Sequence, residues 1–227
     1  MPAQLIRYQA IVLRRTNFGE ADRIVNFITP AGEVAALAKG VRKQKSKLAG
    51  GIELFCLTDV VIAKGKTDLG TLTSSRLIKY YSEIIKDYDR MQLAYQTLKY
   101  IARFANGIED ESWFNITQQV LEALDNHEID QRLIWSWFNL KIAAQLGEPL
   151  NLLIDTSGQR ISGSKKYIYD VSDKGLEAND GGNLELNHLK LLRLMAANDL
   201  DTVKRVIGID SILGEIQDLS EMHASLN

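Results

Sequence analysis

Cysteine, histidine and proline are all scarce in this chain: one, three and three among 227 residues. The lone Cys56 rules out an intrachain disulfide, and its apolar neighbours Leu54, Phe55 and Leu57 make it a buried small hydrophobe rather than a nucleophile. His127, His188 and His223 are scattered, with no cysteine or histidine at ligand spacing, which argues against a zinc centre or a histidine-based catalyst. No window approaches the ~18 uninterrupted apolar residues of a membrane span. The opening Met1-Pro2-Ala3-Gln4-Leu5-Ile6-Arg7 has no apolar core of a secretory signal. A cytoplasmic protein without a membrane partner is the expectation. With 45% hydrophobic residues the chain can bury one or two ordinary cores without staples.

Net charge is also small, at −2, but it is unevenly divided. Residues 1–80 carry 13 Lys and Arg against 6 Asp and Glu, a net of +7, whereas residues 81–227 carry 14 against 23, a net of −9. Within the basic part, the glycine-bounded stretch Ala38-Lys39-Gly40-Val41-Arg42-Lys43-Gln44-Lys45-Ser46-Lys47-Leu48-Ala49-Gly50-Gly51 places five cations in nine residues with no acid. Charge runs are commonly no more than solvated loops. Set in a segment that is basic throughout, this one points to a polyanion, and phosphate contacts of this kind supply sequence-independent affinity by releasing counterions.

The first 80 residues read as five strands, at about 5–15, 23–29, 34–41, 53–64 and 70–80, because β-branched and apolar runs alternate with Gly, Pro and Asp punctuation. Pro30 followed by Gly32 is hairpin-turn chemistry. Five short strands with one longer basic connection fit a small closed barrel, of OB-fold or SH3-like type. After Tyr81 the period changes to 3.6: Ala94, Leu98, Ile101 and Ala105 share a face that stops at Asn106-Gly107. Further helices are expected at about 111–126, at 130–146 with Asp130 as N-cap, from 187, at 201–207 and from 211. Trp135, Trp137 and Phe138 belong to a helix core, with one tryptophan facing outward. Between Pro149 and Asn187 the helical period disappears, and an irregular β-hairpin built on 166–171 is expected there. The class is therefore α+β: a barrel domain at 1–80, then a helical domain at 81–227 with an insert at about 150–186.

Several catalytic signatures fail on inspection. Gly65-Lys66-Thr67 resembles the end of a phosphate-binding loop, but the glycine required five residues earlier is Val60, and the segment joins two strands instead of opening a helix. Glu109-Asp110-Glu111 sits at a helix start, where negative charge favours the macrodipole. Asn115-Ile116-Thr117 matches a glycosylation acceptor by chance, being helical. No catalytic residue is assigned, and no enzymatic activity is expected. Among the aromatics of the basic part, Phe18 in a turn beside Arg14, Arg15 and Arg23 is the best exposed stacking candidate.

Ala38-Lys39-Gly40-Val41-Arg42-Lys43, then Lys45-Ser46-Lys47-Leu48-Ala49-Gly50, Phe55 and Leu69-Gly70-Thr71-Leu72, together resemble the RecO family of bacterial recombination mediators. Val12-Leu13-Arg14-Arg15 and Phe18-Gly19-Glu20-Ala21-Asp22-Arg23 are similar to that family's opening strand and turn. Beyond residue 80 the agreement lies in length, order and Leu146-Gly147-x-Pro149. The resemblance implies an N-terminal OB-fold and a helical domain that bind single- and double-stranded DNA, anneal complementary strands and help load a recombinase onto coated single strands during repair of DNA damage. It implies RecR and single-strand-binding protein as partners, and a cytoplasmic, nucleoid-associated location. Lys39, Arg42, Lys43, Lys45 and Lys47 would be the DNA-contacting cations, flanked by Arg14, Arg15 and Arg23. Many relatives carry paired Cys-x-x-Cys units where this chain has Ile154-Asp155-Thr156-Ser157-Gly158 and Gly175-Leu176-Glu177-Ala178-Asn179-Asp180. A zinc site needs about four such ligands, so no metal is expected here. The competing reading is a protein-interaction adaptor that binds acidic tails without touching DNA.

Overall fold

The structure is a computed structural model that describes residues 4–65 and 69–225. It divides into two compact units, residues 1–126 and 127–227.

In the first unit, five strands close a barrel: β1 (Gln4–Phe18), β2 (Asp22–Thr29), β3 (Gly32–Ala38), β4 (Cys56–Lys64) and β5 (Leu69–Tyr80), in the order β1-β2-β3-β5-β4. Each strand contributes alternate residues to one interior: Ala10 and Val12, Val25 and Phe27, Ala36 and Ala38, Val60 and Ile62, and Leu72. This is the period of two that strand geometry imposes on a half-buried segment. The β3–β5 pair is parallel, Ala35–Leu37 against Leu69–Thr71, and every other pair is antiparallel. A run of consecutive hairpins contains no such crossover, and of the two barrels expected the OB-type Greek key is the one observed. Thr29 closes the Pro30 turn by donating its hydroxyl to Gly32 O at 2.8 Å. Gly32 has φ +95, and a Cβ there would stand 2.5 Å from Ile108 O, so no larger residue fits.

Strand β1 departs from alternation where it matters most. Its register against β2 shifts between Val12 and Arg14, with Leu13 as the additional residue. Strict alternation would carry Arg14 inward beside Val12; the bulge instead sets it opposite Asn26, on the outer side. Ile11 and Leu13, alternating with Ala10 and Val12, are buried on the outer face. That face is covered by α1 (Tyr88–Phe104) and α2 (Glu111–Leu124). Asp87 and Asp110 cap the two helices, accepting from Asp89 N and Arg90 N and from Ser112 N respectively. Buried Arg90 donates to Leu124 O and Asn126 O, each at 3.0 Å, and so ties α1 to the end of α2. The period change near Tyr80 thus marks a change of secondary structure, while the compact unit continues to Asn126 because the outer face of β1 needs two helices to bury it.

The second unit is built on α3 (Gln131–Gln145), α4 (Leu186–Ala197), α5 (Leu200–Val203) and α6 (Leu213–Ser225). Asp130 caps α3 as expected, accepting from Arg132 N. Trp137 is the buried tryptophan and donates to Asn198 O at 3.0 Å, whereas Trp135 is half-buried and stacks on Phe138. The expected insert is present as a hairpin of β6 (Tyr167–Asp170) and β7 (Gly175–Ala178), extended by bridges Ile154 to Arg160 and Tyr167 to Leu184.

Candidate nucleic-acid interface

The basic stretch after β3 does not continue as strand to residue 41. It leaves the sheet at Lys39, turns at Gly40 (φ +64), and Val41 folds back into the barrel interior at 4% exposure. Ile52, fully buried, plugs the same core from the far end of the loop, with Leu48 and Ala49 packed beside it. Two apolar residues therefore pin the ends, and the cations beside and between them stay outside the core. Lys39, Arg42, Lys43, Lys45 and Lys47 are all exposed.

Backbone hydrogen bonds fix the loop without using its cations. Gly40 N donates to the Asp22 carboxylate at 2.7 Å, Arg42 N to Ala21 O at 2.9 Å, and Ser46 N to Lys43 O at 3.0 Å. Ser75 on β5 donates its hydroxyl to Leu48 O at 2.9 Å, and a Cβ on Gly51 would collide with Ser75, so glycine is required there. The Gly19-Glu20-Ala21-Asp22 turn is thus the cradle of the loop, and the two sequence patterns separated by some twenty residues are one structural feature. The Arg42 guanidinium reaches Gly19 O at 3.3 Å. Among the described residues none of the five has a carboxylate partner.

Several other cations of the barrel are engaged. Arg7 and Arg76 share Asp59 across β1, β4 and β5, the second at 2.9 Å. Hydrogen bonds from Arg7 and then Arg76 hold the Asp59 carboxyl down at about 2. Arg15 pairs with Glu53 at 2.5 Å, and Arg23 donates to Asn17 Oδ1 at 3.0 Å. Of the three flanking arginines, Arg14 is exposed, and Arg15 and Arg23 are half-buried. Arg23 joins the loop through the sheet, being paired with Ala38 on one side and Asn17 on the other. Phe18 is 51% exposed at the end of β1, as a stacking residue requires. Tyr80 is exposed as well, whereas Phe27, Phe55 and Tyr81 belong to cores.

The remaining candidates stay apart from this surface. Cys56 is buried, and desolvation pushes its thiol up to about 11, which leaves it unreactive near neutrality. Lys66 and Thr67 lie outside the described residues. Among the described residues no group of three His, Cys, Asp or Glu is disposed to hold a metal, and no helix is long and apolar enough to cross a membrane. Sequence reasoning missed the anchoring role of Val41 and Asp22. The available signal was the apolar residue directly after Lys39-Gly40, which interrupts an otherwise polar loop.

Comparison with known proteins agrees with the geometry. The family model described as "Recombination protein O N terminal" matches residues 1–81, and that described as "Recombination protein O C terminal" matches residues 87–226. A DNA repair protein RecO from Dehalococcoides mccartyi is 29% identical over 218 residues, covering 92% of this chain and 85% of its own length. One from Rubrobacter xylanophilus is 33% identical over 144 residues, 63% of this chain and 58% of the relative. One from Alkaliphilus metalliredigens is 27% identical over 211 residues, 89% of this chain and 85% of the relative. With both halves matched in order and the N-terminal half folded as the closed five-stranded barrel, the chain belongs to the RecO family of DNA repair proteins.

Proposed function

We propose that the protein is a DNA-binding recombination mediator that works by binding alone. The observation carrying this reading is the loop of five exposed cations, anchored by its backbone and without carboxylate partners among the described residues. Lys39, Arg42, Lys43, Lys45 and Lys47 contact phosphate, with Arg14, Arg15 and Arg23 as the flanking track and Phe18 as a stacking face. Neutralising phosphates of two complementary strands lowers their mutual repulsion, and base pairing then supplies the free energy of annealing. No bond is made or broken by the protein. A division of labour at about residue 80 follows: the barrel holds single- or double-stranded DNA, and residues 81–227 recruit RecR and single-strand-binding protein so that a recombinase is loaded onto coated strands.

Four or five phosphate contacts on a single strand give a slope of roughly −3 for log affinity against log salt. The decisive experiment is annealing of complementary oligonucleotides coated with single-strand-binding protein. Lys43→Ala, Lys45→Ala and Lys47→Ala together should slow annealing and weaken binding of all sequences alike. A flat salt response, or a protein partner that an unlabelled oligonucleotide does not displace from the loop, would replace this reading with that of an adaptor for acidic proteins.

A further inference from the structure

A second basic surface lies in the first unit, on a helix that the loop argument never used. Between the end of β1 and α1 runs a cleft of about 590 Å³. Its floor is apolar, from Leu13, Leu54 and Leu98, and its rim carries Arg14 and Arg15 on one side and Lys99 and Arg103 on the other. Among the described residues no carboxylate lines it. Glu53, paired with Arg15, neutralises one of the four cations and leaves three. Lys99 and Arg103 are exposed and have no carboxylate partner among the described residues. Tyr95 stands in the same wall, 44% exposed, held edge-on by Phe55 with ring centroids 5.0 Å apart. Tyr95, Lys99 and Arg103 follow one another at i, i+4 and i+8, so one face of α1 presents an aromatic ring and two cations in line.

We propose that this cleft is the continuation of the strand-binding track and takes unpaired nucleotides, phosphates on the cationic rim and a base against Tyr95 and the apolar floor. The proposal rests on the reading of the loop as a DNA-contacting element and extends it to a second site. Charge and chemistry favour a single strand over a duplex: an apolar floor with an aromatic wall rewards an exposed base face, which a duplex keeps stacked inside. Continuity favours the same ligand as the loop. Lys39 follows Ala38, which pairs with Arg23, which pairs with Asn17, and Arg15 lies two residues back from Asn17 along β1. Two strand spacings, ~10 Å, separate the loop end of this path from the strand that lines the cleft. A strand that leaves the loop along Arg23 meets Arg15 and Arg14 next and then α1.

The test compares the full chain with Lys99→Ala/Arg103→Ala and with the loop triple, using oligothymidylates of about 6 and about 16 nucleotides, lengths within the range one such barrel occupies. The cleft variant should bind the short strand as before, bind the long one on the order of tenfold more weakly, and show a salt slope for the long strand shallower by about 1.4, the share of two phosphates. A long strand bearing 5-iodouracil should crosslink to Tyr95 on irradiation, and its loss in the cleft variant, with an unchanged unfolding temperature, separates lost binding from lost fold. Equal affinities and slopes for the long strand in parent and cleft variant, with the loop triple still defective, overturn this inference and leave the loop reading intact. A loop triple that binds as the parent does removes the reading on which it rests. An acidic apolar peptide that binds the parent but not the cleft variant, while strand binding is equal in both, assigns the cleft to a protein partner and also overturns it.

Discussion

The basic loop at 39–48 and the insert at 151–184 are both anchored by buried apolar residues and backbone hydrogen bonds, and they use their polar and charged side chains in opposite ways. The loop is pinned by two buried apolar residues and by backbone hydrogen bonds, and its charged side chains are left without carboxylate partners among the described residues. The insert buries Leu152, Ile161, Tyr167, Leu176 and Leu184, and its polar side chains are spent on holding its own turns. Asp155 accepts from Ser157 N, Ser157 Oγ and Gln159 N; Asn151 accepts from Leu153 N and Ile154 N; Asp170 accepts from Ser172 N and Asp173 N. Tyr167, fully buried, accepts from Ser162 N through its hydroxyl at 2.8 Å. Three of the four cations of the insert are taken: Lys166 pairs with Glu185 at 2.7 Å, Lys174 with Glu148 at 2.6 Å, and Lys165 donates to Gln159. The lesson is that a density of lysine does not make a binding surface. What matters is whether the fold has already engaged the charges.

A single carboxylate organises the first turn of the insert. Asp155, 5% exposed, gathers two backbone N–H groups and a hydroxyl into one tight turn. Hydrogen bonding to Ser157, then to the Gln159 and Ser157 amides, holds this carboxyl below its ordinary value. Farther along, Tyr169 meets His223 Nδ1 at 3.0 Å, and His223 Nε2 lies 2.9 Å from Glu148 O. With a carbonyl on Nε2, that nitrogen carries the proton and Nδ1 accepts from the tyrosine hydroxyl. The neutral imidazole is thereby a staple between β6 and α6.

Four measurements would break or sharpen this contrast. The largest effect belongs to the loop: Lys43→Ala/Lys45→Ala/Lys47→Ala should lower single-strand affinity on the order of tenfold or more at moderate salt and flatten the salt slope from roughly −3 toward roughly −1. An unchanged slope would mean that the unengaged cations are only solvated. Next, Asp155→Ala should strip hydrogen-exchange protection from the Ser157 and Gln159 amides while leaving amides of the loop as they were; equal protection in parent and variant would show that the turn does not depend on its carboxylate.

Third, burial lowers the His223 pKa from 6.5, so the unfolded chain binds the proton more readily than the folded one. Stability from this group is complete above about pH 6.5 and is lost as pH falls from there through the folded pKa. Thermal unfolding of the second unit should move downward on acidification across that window, and the slope should shrink in His223→Gln. The smallest effect is expected from Lys165→Ala/Lys166→Ala/Lys174→Ala, which removes as many charges as the loop triple but breaks only two ion pairs near the surface and one hydrogen bond to Gln159. Stability should change by about 1 kcal/mol or less, and strand affinity measured by anisotropy should stay within twofold of the parent, about 0.4 kcal/mol or less. A loss comparable with that of the loop triple would make net charge, rather than unengaged charge, the determinant.

The two halves of the chain were unequally legible. Period-two runs located all five barrel strands, because the inward residues Val25 and Phe27 or Val60 and Ile62 alternate with partly exposed ones. The end of β3 was placed three residues late, since Val41 has strand chemistry and only its contact with the barrel interior reveals a plug. The helix expected at 201–207 shrinks to Leu200–Val203, because Ile207, although apolar, is 91% exposed and takes no part in a core. The basic loop was legible as a cluster of charge. Its neighbour on α1 was not, because Lys99 and Arg103 are two ordinary helix cations until β1 lies against them.

By itself the sequence determined what local rules decide: strand and helix periods, the Asp caps of the helices, the insert hairpin, the want of metal-ligating cysteine and the charge division between the segments. Those properties depend on residues a few positions apart, or on composition alone. Tertiary structure alone decided which cations are available. Arg7 and Arg76 are bound to Asp59 and Arg15 to Glu53, across 17 to 52 residues of chain, while the loop's five cations keep no such partner among the described residues. The strength of a charge toward an outside phosphate depends on its distance from every other charge, and in a barrel that distance is set by strand register rather than by separation along the chain.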